Sequence, residues 1–293
     1  MSANPTPFEI LTTLFPYLKA AAGYANKIQS AIAILPEKGD VDNPFAAALT
    51  DADLSIQTMI EVALLGNFPD IRFYGEEYEQ SRNTKYFRST KLGPQDDYLI
   101  TLDPIDGTRF YMDNHPNYQI ILGILNADDF EVVIAVSPAH DIFDYALKGQ
   151  GLMRGKLSDG LDSATPHRLE KTDQPILLGT HMGGFASHLK NRYRLIDVLQ
   201  DYSKDSRIPN VNGLFFGELS GAVIRLGKFI DGGALAFLAR EAGYIVSTLD
   251  GAMPPPLKDC TNYCLPGLVM AATPKMHHDI LETASVVPYP KRT

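Results

Sequence analysis

Tryptophan is absent from the 293 residues, and cysteine occurs only twice, as Cys260 and Cys264. A lone C-x3-C pair excludes a disulfide framework. The neighbourhood lacks the further ligands that a four-coordinate zinc site needs, so both read as ordinary thiols. Basic residues are outnumbered: 26 Lys and Arg stand against 35 Asp and Glu, a formal charge of −9. That balance argues against a nucleic-acid surface, which needs clustered Lys and Arg. No apolar stretch approaches the ~20 residues that span a bilayer. The opening MSANPTPFEI has no basic region followed by an apolar run, so it does not read as a signal peptide. The expectation is a soluble, cytoplasmic protein with neither a membrane nor a nucleic-acid polymer as partner.

What is present is an ordinary globular composition, 45% hydrophobic and 21% charged, at a length that allows one large domain or two fused halves. Leu18, Ala21, Ala25, Ile28 and Ile32 alternate steps of three and four. They predict an amphipathic helix with Pro16 in its first turn, ended by LPEKGD. A second helix is expected from Thr50, where Thr50 and Asp53 form a T-x-x-D capping pattern, to about Leu65, with Gly66 and Pro69 as the stop. Ile71 to Tyr74 is a short apolar run leading into GEE, and residues 78–96 read as a polar, mobile loop. Strand-like runs follow at 98–102, 117–125, 131–139 and 143–147, and KGQG at 148–151 signals a hairpin. The first half is therefore two helices on a largely antiparallel sheet.

The second half alternates: a strand at 176–180, a helix over 185–203, a Gly-punctuated stretch, a helix from about Gly233 to Glu241, strands at 244–249 and 268–273, and a last helix after Pro274. That order suggests a layered α/β half. The polar, turn-rich residues 155–174 are the expected seam.

The strongest chemical signal is DYLITLDPIDGT at 97–108. An apolar strand ends in Asp103, and a Pro-kinked turn brings Asp106 three residues later, so the two carboxylates can face one point. Acidic groups that close repel one another unless a cation neutralises them, and hard oxygen ligands suit Mg²⁺. The plainer alternative is a turn whose two Asp side chains bond backbone amides. Glu76 and Glu77 after another short strand favour the cation, because such pairs need a counter-ion. The D-x-D-G-T nucleophile motif of haloacid-dehalogenase phosphatases does not fit, since Pro104 stands two residues before Asp106.

GEE at 75–77 and DPIDGT at 103–108 resemble the two N-terminal signatures of the inositol monophosphatase family. Asp231-Gly232-Gly233-Ala234, with Glu241-Ala242-Gly243 ten residues after the Asp, is similar to the third. TLDG at 248–251, KGQGLMRGKL at 148–157 and LVMAATPK continue the resemblance over nearly the whole chain. The resemblance implies an α+β fold of the sugar-phosphatase type, a layered α-β-α-β-α sandwich. One phosphatase domain over 8–285 is expected, built of an α+β half (about 8–155) and a smaller α/β half (about 175–285), with 286–293 as a tail.

It further implies Mg²⁺-dependent hydrolysis of a small phosphate monoester by activated water, using two or three ions, with lithium sensitivity and a homodimer. By the same resemblance, Glu76, Asp103, the Ile105 carbonyl, Asp106 and Asp231 are the implied metal ligands, Glu76 also serving catalysis. Gly107 and Thr108 would offer N–H groups to the phosphate, and Asp51 would pair with the Thr108 hydroxyl to orient the water. Lys38 falls near a family lysine. The plainer readings make Thr50 and Asp51 only a helix start, Asp231 only a helix cap, and Glu77 a solvated loop residue. No ligand role falls to His115, His140 or His181.

The third signature departs from the pattern. Ile230 replaces its Trp, NGLFFGELSGA at 212–222 stands where a G-S-A-A element is expected, and the stretch from GKF at 227–229 to Asp231 is short for the usual strand pair. Arg109, Phe110 and Tyr111 after the turn are placed either to pack it or to touch substrate. Their bulk and charge are closer to family members acting on histidinol phosphate or nucleotide 3′(2′),5′-bisphosphates. A small alcohol, inositol or sugar phosphate ranks first, those substrates second, and a non-catalytic metal- or phosphate-binding protein is the alternative of another class.

Overall fold

The computed structural model describes residues 4–31, 50–77, 91–94, 97–169 and 173–289. Lys38, Ile32, the LPEKGD segment and most of the expected 78–96 loop lie outside them. The chain divides into two compact units, Met1–Pro166 and His167–Thr293.

In the first unit, α1 spans Pro7–Ile28 and starts well before Pro16. Its start is a capping box: Glu9 N donates to Thr6 Oγ1 at 3.2 Å while Thr6 N donates to Glu9 Oε2 at 2.7 Å. Pro7 takes the first turn, where a missing N–H costs nothing. Pro16 is thus inside the helix rather than at its start. It lies on the exposed face, where the carbonyl it leaves unpaired meets water. Ile10, Leu11, Leu14, Leu18, Ala21 and Ala25 form the buried stripe. The second helix, α2, spans Asp51–Asn67 with Thr50 as its cap.

The sheet of this unit follows chain order: β1 (Arg72–Gly75), β2 (Leu99–Asp106), β3 (Gln119–Leu125), β4 (Phe130–Ser137), β5 (Ile142–Leu147), β6 (Leu152–Lys156) and β7 (Thr165–Pro166). Only β1 and β2 pair in parallel. A short helix, α3 (Thr108–Met112), joins β2 towards β3. One apolar cluster joins α1 and α2 to the sheet, and within it Phe15 meets Phe143 edge-on at 4.8 Å. Asp144 on β5 is buried opposite Arg154 on β6, which binds it bidentately, both bonds at 2.7 Å. Such a pair fixes register, because a one-residue slip would strand a buried charge.

The second unit departs from the expected helix over 185–203. That stretch breaks into α4 (Ala186–Leu189), β9 (Leu195–Asp197) and α5 (Val198–Asp201). The strand forms because Leu195–Asp197 pairs in parallel with β8 (Ile176–Leu178). The tertiary ladder overrides local helix preference. A further strand, β10 (Gly221–Ile224), lies within the Gly-punctuated stretch and takes the centre of a five-stranded sheet, followed by β11 (Gly227–Lys228). The sheet order is β12 (Ile245–Thr248), β14 (Leu268–Ala271), β10, β8, β9, while β11 pairs with β13 (Cys264–Leu265). The helices α6 (Gly232–Glu241) and α7 (Pro274–Val286) complete the unit. The overall class is α+β, with a largely antiparallel sheet in the first unit and a smaller mixed sheet in the second.

α7 is tied to the segment before β9 by Asp279, which takes Tyr193 Oη at 2.5 Å, Lys275 Nζ at 2.8 Å and Arg192 Nη1 at 2.8 Å. The Lys275 and Tyr193 bonds hold its carboxyl down to about 2. A depressed carboxyl stabilises the fold above its unfolded pKa of ~4 and loses that contribution as pH falls toward 2. Lys275 and Arg192 are well exposed, so screening leaves about 1 kcal/mol. Asp279→Asn should cost that much in urea unfolding at pH 7 and nearly nothing near pH 2.

Candidate active site

Residues an odd number apart on a regular strand face opposite sides of a sheet. Asp103 and Asp106 escape this through a bulge. Asp103 is in register with Ile121 and Asp106 with Gln119, three residues on β2 against two on β3. Ile121 and Gln119 share a face, so the extra residue brings both carboxylates to one side. Pro104 sits where no ladder donor is needed. Within the turn, Ile105 N donates to Asp103 Oδ1 at 3.1 Å, and the Thr108 hydroxyl lies 2.8 Å from Ile105 O. Gly107 caps α3 at φ 84°, a left-handed conformation that disfavours any side chain. Asp103 is buried and Asp106 partly exposed.

The parallel pairing of β1 and β2 places Gly75 opposite Leu102, and Glu76 N donates to Leu102 O at 3.0 Å. Parallel strands run the same way, so Glu76 leaves β1 beside Asp103, the residue after Leu102. The approach of α2 explains the glycine: a Cβ on Gly75 would fall 2.4 Å from Gln57 Oε1. That oxygen accepts from Glu77 N at 3.0 Å, while Gln57 Nε2 donates to Glu61 Oε1 at 3.2 Å. Glu77 is buried rather than solvating a loop.

The expected partner of the Thr108 hydroxyl, Asp51, is instead exposed at the first position of α2. Asp53 takes the place, with its Oδ1 3.3 Å from Thr108 Oγ1 and no solvent exposure. The reason is helical phase. Asp53 shares the buried face of α2 with Ile56, Gln57, Ile60 and Leu64, and Asp51 lies outside that stripe. Asp53 Oδ2 accepts from Thr50 N at 2.8 Å and Thr50 Oγ1 at 2.6 Å. Burial pushes the Asp53 carboxyl up to about 7, the Thr50 bonds work against this, and the charges of Glu77 and Glu76 add to it. The apolar period that locates α2 already points to Asp53 over Asp51. Gln57 and Gln119, which fix neighbouring groups, carry no sequence signal.

Phe110 and Tyr111 are core residues, and the Tyr111 hydroxyl donates to Ala25 O at 2.8 Å. Of the two roles open to this trio, packing the turn is the one these two perform. Arg109 bonds Asp113 at 3.1 Å. His115 is buried edge-on to Phe110, whereas His140 and His181 are exposed.

Asp231 belongs to the second unit. It caps α6, accepting from Gly232 N through Oδ1, while its Oδ2 lies 3.9 Å from Lys228 Nζ. The small residues that follow are a packing requirement, since a Cβ on Gly233 would meet Lys228 O at 2.8 Å.

Among the described residues, no three His, Cys, Asp or Glu side chains are drawn together as a ready metal cluster. The donor chemistry nevertheless fits a hard divalent cation: Glu76, Asp103 and Asp106 offer carboxylate oxygens and Ile105 a carbonyl. The Asp53 carboxyl is raised mainly by its burial, with the charges of Glu77 and Glu76 adding to the effect.

A family model described as the inositol monophosphatase family matches residues 12–287. The chain is 27% identical over 259 residues to the probable inositol 1-monophosphatase ImpA of Mycobacterium tuberculosis, covering 85% of each protein. Among solved structures, an IMPase of Thermotoga maritima superposes with a TM-score of 0.70 at 17% identity, over 94% of this chain and 97% of that one. An IMPase/NADP phosphatase complexed with Mg²⁺ and phosphate superposes with a TM-score of 0.68 at 17% identity, over 98% and 99%. These two carry the fold. The family match over nearly the full length carries the rest: the chain belongs to the inositol monophosphatase family and is a phosphoric monoester hydrolase.

Proposed function

We propose that the protein hydrolyses a small phosphate monoester of the inositol, sugar or polyol class in a Mg²⁺-dependent reaction, with water as nucleophile. The observation that supports this best is the β2 bulge, which turns Asp103 and Asp106 to one side of the sheet, at the end where Glu76 leaves β1. Glu76, Asp103, Asp106 and the Ile105 carbonyl would hold the cations, two or three in number, with Asp231 as a further ligand. Bound Mg²⁺ would supply positive charge for phosphate oxygens and acidity for a coordinated water. The two units would act as one catalytic domain over about 8–285. Family membership extends the proposal to lithium inhibition and a cytoplasmic homodimer.

The chain's own residues position and neutralise, which is what phosphoryl transfer demands. Thr108 Oγ1 has two acceptors in reach, Ile105 O at 2.8 Å and Asp53 Oδ1 at 3.3 Å. With the carbonyl engaged elsewhere, the hydroxyl proton goes to Asp53, and the Thr108 oxygen is left to orient the attacking water. Gly107 and Thr108 precede the first intrahelical bonds of α3, so their N–H groups are available to a phosphate oxygen.

The case for nucleotide bisphosphates or histidinol phosphate rested on Arg109, Phe110 and Tyr111. With the two aromatics in the core, only Arg109 remains to favour it, so a small polyol phosphate stands first.

Phosphate release should require Mg²⁺ in a screen of inositol, sugar, histidinol and nucleotide phosphates. No turnover on any of them would overturn the proposed substrate class. Asp106→Asn should lower turnover more than about a hundredfold with far-UV dichroism unchanged, since losing a ligand costs more than losing its outer support. Activity within tenfold of wild type would rule the ligand role out. Helical phase separates two neighbours: Asp53→Asn should reduce kcat about a hundredfold, while Asp51→Asn leaves it within about threefold. The reverse order would restore Asp51 as the partner of Thr108.

A further inference from the structure

We infer that Gln119 is a positioning residue for Asp106, one that orients the carboxylate through a donor that itself adds no positive charge. The inference rests on the metal-site reading above and concerns a residue outside all the sequence signatures. Gln119 opens β3 in register with Asp106, across the bulge. It is 1% exposed, and its Nε2 donates to Asp106 Oδ2 at 2.8 Å. The rest of β3 is IILGIL, so this is the one polar side chain of an apolar strand, and a buried amide there needs a partner.

The bond does two things at once. A carboxylate torsion is broad and roughly two-fold, and tethering one oxygen fixes the plane and thereby the direction of the other. The donor also carries no charge. A lysine at the same register position would hold Asp106 as firmly, but its ammonium would satisfy the carboxylate and repel a divalent ion. A methionine would neither hold nor neutralise. An amide holds without neutralising, which suits a carboxylate whose charge is needed by something else.

Mg²⁺ titration calorimetry on the full chain, read beside the Mg²⁺-dependent shift in melting temperature, tests this without relying on turnover. Gln119→Met should raise the Mg²⁺ Kd about tenfold, while substrate KM at saturating Mg²⁺ stays within about twofold. Gln119→Lys should raise the melting temperature of the metal-free protein, remove most of the Mg²⁺-dependent shift, and weaken Mg²⁺ more than Gln119→Met does. Wild-type Mg²⁺ affinity in either variant would make Gln119 a packing residue and overturn the inference alone. A wild-type protein that binds no Mg²⁺ would overturn the metal-site reading and this inference with it.

Discussion

One extra residue in β2 sets the geometry of the candidate site. Without the bulge between Asp103 and Asp106, the two side chains would point to opposite faces of the sheet, and no cation could meet both. The bulge reconciles the odd spacing of the motif with the two-residue period of a strand. Pro104 and Gly107 then acquire plain physical reasons. The first stands where the ladder needs no donor, the second where the chain turns left-handed into α3.

Around that bulge the first unit collects negative charge, part of which is held by neutral donors. Asp53 is held by Thr50 and faces the Thr108 hydroxyl, and Gln119 donates to Asp106. None of these partners is a cation. The contrast with the rest of the molecule is instructive: Asp144 is closed off by Arg154, and Asp279 by Lys275 and Arg192. Those pairs hold the fold together and are finished. Asp103 and Asp106 are directed by the Ile105 N–H and the Gln119 amide, donors that add no positive charge; cations bound there would let a chain of net charge −9 receive an anionic ester.

Much of this was legible from the sequence, for local reasons. The central strands of the first unit, β2 to β5, are apolar runs whose pairing follows chain order, so reading them one by one recovers the middle of the sheet; the polar edge strands β6 and β7 carry no such signal. The second unit resisted because its strands are short and gain stability only from partners distant in sequence. GAVI at 221–224 looks like a Gly-rich loop until β8 and β14 flank it, and Leu195–Asp197 looks helical until β8 pairs with it. Pro16 misled because proline is commoner at helix starts than on an exposed interior face. In the site, motif residues were readable, but their supports were not. Gln57 and Gln119 are single amides whose meaning comes only from what folds beside them.

Asp53 has one carboxylate and two employers. One oxygen begins α2 by engaging Thr50, and the other faces Thr108. The start of a helix and the orientation of a hydroxyl are therefore coupled through a single rigid group. Evolution has little room to adjust them separately: a shift of the helix by a fraction of a turn would move the hydroxyl's acceptor with it. Neutral drift in this region should then be confined to the outward face of α2, where Ser55, Thr58 and Val62 take no part in that coupling.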